Sequence, residues 1–115
     1  MKDAHKDLRL AMLNSICAGW ITEHAFCPWR KWRADFAHEE HGIIVETNGN
    51  AYQTKSGGRH GKPPDLQKIN AAQALGWRVL QYGTSKNETA RMVAEVRAVV
   101  SGTGIEQAFK VGMAK

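Results

Sequence analysis

Asp35 and Glu46 stand in two strand-like runs, Trp32–His38 and Ile43–Asn48, joined by Glu39-Glu40-His41-Gly42. A loop of this length is common in β-hairpins. Pairing His38 with Ile43 puts Asp35 directly across from Glu46. Opposed residues have Cβ atoms about 4.5–5.5 Å apart, and like charges there repel. A hard divalent cation between the carboxylates would remove the repulsion, and Mg²⁺ needs only one or two of them. The competing reading is two solvated carboxylates on an open sheet face in another register. Asn48 shares a strand face with Glu46, being two residues on. Asp65 and Lys68 share a face of the following helix. The Lys68 stem can pack while its head reaches the sheet end. His60 lies in the loop between strand and helix. Such a set suits phosphodiester hydrolysis, in which a metal neutralises the phosphate and acidifies a water. A lysine or histidine then orients that water or stabilises the developing charge. Each residue also has a plainer reading: Lys68 a solvated helix charge, His60 a turn residue, Asp65 a helix-start acid favoured by the macrodipole.

The elements that must hold these groups follow from periodicity. Asp3–Ala18 reads as a helix with Leu10, Leu13, Ile16 and Cys17 on one stripe, ended by Gly19. Trp20–Phe26 reads as a first strand, with Trp20, Thr22, His24 and Phe26 on one face. Cys27–Lys31 is a turn into the hairpin. Gly49–Pro64 is a long Gly- and Pro-rich loop of the kind that is usually functional or disordered. A helix from Pro64 to Leu75 points Leu66, Ile69 and Ala72 inward, and Gly76 closes it. Trp77–Tyr82 is a strand, parallel to Ile43–Asn48 because a helix connects them. Ser85 and Glu88 form a capping box that opens a helix to about Val100, with Met92, Val93, Val96, Val99 and Val100 buried. A short helix from Ile105 to Phe109 follows. The expected fold is α/β: one domain over residues 1–115, a mixed four-stranded sheet flanked by helices, with an extra C-terminal helix.

Composition narrows the partner. A chain of 115 residues supports one core. The net charge of +5 suits a polyanion, most often nucleic acid, or serves solubility alone. Cys17 and Cys27 match no zinc spacing and are too few for a disulfide scaffold, so a reduced, cytoplasmic chain is expected. No apolar run is long enough to span a bilayer. His38-Glu39-Glu40-His41 is not a zinc-protease motif, because its histidines are three apart in a hairpin loop.

The ordered combination is more specific than any part. The run from Glu23 through Cys27-Pro28-Trp29 to Asp35-Phe36-Ala37 is followed by Ile43-Ile44-Val45-Glu46 and Gly49. Then come Gly58-Arg59-His60, Asp65, Lys68, Asn70-Ala71-Ala72 and Gly76–Leu80. In this order the chain resembles the PD-(D/E)XK nuclease superfamily, in particular small Vsr-like and phage-type endonucleases. The resemblance implies a restriction-endonuclease-like αβββαβ core. It implies Asp35 and Glu46 as metal ligands, with the Thr47 carbonyl as a third, and Mg²⁺ as cofactor with Mn²⁺ able to substitute. It implies His60 as a candidate general base and Glu23 as an accessory acid. Asn48 stands where the motif has lysine, and Lys68 is the substitute.

DNA contact is expected from Arg30, Lys31, Arg33, Lys55, Arg59 and Lys62, which flank the carboxylates and would position a phosphate backbone. The reading is a Mg²⁺-dependent endodeoxyribonuclease of phage or mobile-element type, acting in the cytoplasm of a bacterial or phage-infected cell without a membrane partner. One alternative is a nuclease-fold module that binds DNA or a protein partner without catalysis, which Asn48 keeps open. Another is a structure-selective resolvase or nickase working as a homodimer.

Overall fold

The computed structural model describes residues 4–47 and 63–113, with side chains from 5 to 47 and from 66 to 110. Its elements are α1 (Ala4–Ile16), β1 (Ile21–His24), β2 (Ala34–His38), β3 (Ile43–Thr47), α2 (Pro63–Ala74), β4 (Arg78–Tyr82), α3 (Lys86–Ser101) and α4 (Ile105–Met113). The sheet order is β1-β2-β3-β4. β1, β2 and β3 form an antiparallel meander, and β4 runs parallel to β3. The fold is therefore α/β with a mixed four-stranded sheet, in the order expected.

β3 alternates between two cores. Ile43 and Val45 join Trp20, Phe36, Tyr82, Leu13 of α1, and Met92 and Val96 of α3. Ile44 joins Phe26, Cys27, Ala34, Ala37 and Ala72 of α2. Apolar residues on both faces mark a strand buried within the sheet, and period-two side chains serve both layers. β3 thus carries Glu46 at the end of an otherwise apolar run, with helices on both sides.

Three expectations are corrected. Trp20 and Phe26 fall in different cores, because Glu23 adopts φ 52° and breaks the alternation of β1. Leu66 points outward, 52% exposed, and leaves α2 to pack mainly through Ala72. The capping box forms only half its usual pair. Ser85 Oγ accepts from the Glu88 N–H at 3.2 Å, but Glu88 Oε1 takes the Gly83 N–H at 3.0 Å. That last bond is the main reason the Glu88 carboxyl sits below its ordinary pKa.

α1 ends at Ile16, earlier than the expected Ala18, and Gly19 follows it with φ 111°. A Cβ there would lie 2.9 Å from His38 Nε2, so the backbone needs glycine for approach as well as for conformation. Among the described residues no helix is long and apolar enough to cross a membrane.

Candidate functional site

The hairpin register is the one expected: His38 pairs with Ile43, Ala37 with Ile44 and Phe36 with Val45. At the next step, Asp35 and Glu46, side chains replace the backbone ladder. The Asp35 N–H donates to Glu46 Oε2 at 3.0 Å. The Thr47 N–H donates to Asp35 Oδ2 at 2.8 Å, and the Thr47 hydroxyl donates to the same oxygen at 3.2 Å. Each acid thus satisfies a backbone donor on the other's strand. Buried backbone donors need such partners wherever a ladder stops.

Glu46 is 5% exposed. The Lys68 ammonium, carried on α2, donates to Glu46 Oε1 at 3.0 Å. Burial raises the Glu46 pKa, and the Asp35 charge raises it further. The Lys68 charge and hydrogen bond, with the Asp35 N–H, pull the other way without cancelling the rise. Lys68 therefore compensates one acid in a site that contains two.

Asp35 and Glu46 line different spaces. Asp35 lines a pocket of about 190 Å³ with His5, Lys6, Arg9, Thr47 and Thr84. Glu46 lines a much smaller cleft of about 10 Å³ with Lys68, Ile69 and Ala72. The larger pocket is lined by the basic residues Lys6 and Arg9 together with His5 and Asp35. Carboxylate oxygens are hard donors of the kind that Mg²⁺ or Mn²⁺ takes. The Asp35 charge acts on Glu46, although the two residues line spaces on the α1 and α2 sides respectively.

Arg9 belongs to the same region and escaped the sequence reading. It is 1% exposed, and its Nη2 donates to Gly83 O and Thr89 Oγ1, both at 2.7 Å. Burial lowers its pKa, while Glu88 and Asp35 hold it up. The signal was its spacing: Arg9 lies four residues before Leu13, on the stripe that faces the core.

The other expected residues fall as follows. Glu23 is exposed and ion-paired with Lys6 of α1. Arg33 donates to the Glu23 carbonyl at 3.1 Å, which places it beside β1. Arg30 stacks its guanidinium over Trp32 at 4.2 Å, and both Arg30 and Lys31 are exposed. Asp65 lies in the first turn of α2, with its side chain outside the described residues. Asn48, Lys55, Arg59, His60 and Lys62 also lie outside them.

No protein-family model, no curated protein and no solved structure matches the chain.

Proposed function

We propose that the chain is a metal-dependent DNA endonuclease built on a restriction-endonuclease-like αβββαβ core. The observation that carries the reading is the arrangement at the hairpin's open end. A buried Glu46 is paired with Lys68 and bonded to the Asp35 backbone, and Asp35 lines a pocket with Lys6 and Arg9. Asp35 and Glu46 are the residues that would hold Mg²⁺. When bound, the ion supplies Lewis-acid stabilisation of the phosphate and lowers the pKa of a water.

The chain's own residues account for the rest. Thr47 fixes the Asp35 carboxylate through two donors to Oδ2. Lys68 offsets part of the effect of burial on Glu46 and stands at the site as a cation. An ammonium has three donors, and beside Glu46 it is placed to take a phosphate oxygen or orient a water. Lys6 and Arg9 bring positive charge to the Asp35 side of the site, and the exposed Arg30, Lys31 and Arg33 of the β1–β2 connection are the further DNA contacts of this reading.

The test is plasmid nicking with Mg²⁺ or Mn²⁺, run beside Asp35→Asn and Glu46→Gln. Each variant is expected to lose about 100-fold or more, the scale for removing one preorganised electrostatic group. Cleavage that survives in both variants would refute the site. Preference for branched over linear duplex would mark a structure-selective resolvase or nickase. One observation favours a second reading, a module that binds DNA without cutting it. The two carboxylates line separate spaces, and each is already bonded from within the protein. Duplex retention without nicking under any of these conditions selects that reading.

A further inference from the structure

We propose that Cys17, His38 and His41 form a second metal site, for a borderline-soft divalent ion of the zinc class, at the closed end of the hairpin. The Cys17 sulfur and one ring nitrogen from each histidine lie within 4.8 Å of one another. A tetrahedral ion with bonds of about 2.0–2.3 Å needs ligand atoms closer than that by roughly 1 Å. Cys17 and His41 are half-buried, and closing on the ion would require their side chains to rotate.

His38 has the protonation pattern of a ligand. Its Nε2 lies 2.8 Å from the Ala18 carbonyl, which can only accept. The proton is therefore on Nε2, and the lone pair is on Nδ1. Nδ1 takes the His41 N–H at 3.2 Å, a long bond on a turn that water can replace. A metal-binding histidine usually donates its other ring N–H to a carbonyl or carboxylate, which fixes the ring. The close approach of Gly19 to that ring keeps the Ala18 carbonyl within reach. His41 is held as well: its carbonyl accepts from Arg78 Nη2 at 2.7 Å, which ties its backbone to β4.

A thiolate and two imidazoles select zinc, cobalt or a similar ion and discriminate against Mg²⁺. Three protein ligands leave a fourth position to water. The ligands come from the residue just past α1, the last residue of β2 and the hairpin loop, so the ion would clamp the helix end to the hairpin. The site uses no residue of the proposed DNA-cleaving centre and stands or falls apart from it.

The test is titration of the reduced, chelator-stripped full-length chain with Co²⁺, followed by displacement with Zn²⁺. One equivalent is expected to give a thiolate-to-cobalt charge-transfer band in the near ultraviolet, which Zn²⁺ abolishes. Cys17→Ser is expected to lose the band and His41→Gln to weaken binding at least tenfold, while Cys27→Ser keeps both. Zn²⁺ is expected to raise the melting temperature of the wild type but not of Cys17→Ser. Absence of the band at millimolar Co²⁺, its persistence in Cys17→Ser, or its loss in a folded Cys27→Ser would each overturn the proposal. Near-ultraviolet circular dichroism checks that each variant is folded.

Discussion

Glu46 keeps its proton to a higher pH in the folded chain than in the unfolded one, first because it is buried and then because Asp35 is near. An unfolded glutamate titrates near about 4.3. Above that value the native state binds more protons at this residue than the unfolded state, so its contribution to stability falls as pH rises toward the folded pKa. Glu46→Gln removes the dependence. The stability of this variant relative to wild type is expected to be greater at pH 7 than at pH 4, read by urea unfolding. Equal differences at the two values would contradict the assignment. Lys68→Met acts in the opposite sense by leaving the acid uncompensated. Breaking a buried pair costs about 3–5 kcal/mol, and Lys68 is partly exposed, so about 2 kcal/mol is expected at pH 7 and less at pH 4, where Glu46 protonates. Asp35, Glu46 and Lys68 were legible in the sequence because strand and helix periods place them. The φ of Glu23 was not, since a left-handed residue within a strand leaves no mark in residue type. Arg9 was hidden by its charge, which suggests surface.

At the scale of elements, the chain announced its helices through caps and stripes, and its strands through β-branched and aromatic runs. Most boundaries shifted by a residue or two where helix ends have alternative partners, while α4 runs to Met113, beyond the expected end at Phe109. Ser85 is the cap of α3 as read, and Ser85→Ala is expected to cost about 1 kcal/mol, measured by thermal melting. The same change at Ser15, which is exposed within α1 and bonds only to the Met12 carbonyl, should cost much less. Gly19→Ala is expected to cost on the order of 2–3 kcal/mol, because an unfavourable backbone conformation adds to a clash with His38. A loss no greater than for Ser85→Ala would mean that the loop after α1 moves aside freely. The failed one-face reading of β1 also belongs here: at the sheet edge no second layer forces alternation, and Thr22 and Ile21 are both exposed.

For the whole molecule, the net charge of +5 makes the proposed DNA binding testable by its ionic-strength dependence. Each neutralised phosphate contributes a slope of about −0.9 to log K against log salt. Arg30→Ala and Lys31→Ala are each expected to make the slope shallower by about one unit, while unchanged slopes would exclude the edge they occupy as a contact surface. The topology has a further consequence, for the order of assembly. β1, β2 and β3 are neighbours in sequence, joined by residues 25–33 and 39–42, both shorter than the segment before β4. β4 docks only after residues 48–77 have closed on themselves, and closure entropy slows such non-local pairing. The meander should therefore consolidate first and the parallel edge last. Ile44→Val would then slow refolding, whereas Val79→Ala would mainly quicken unfolding. A nascent chain would hold its two acids side by side before Lys68 arrives to balance them.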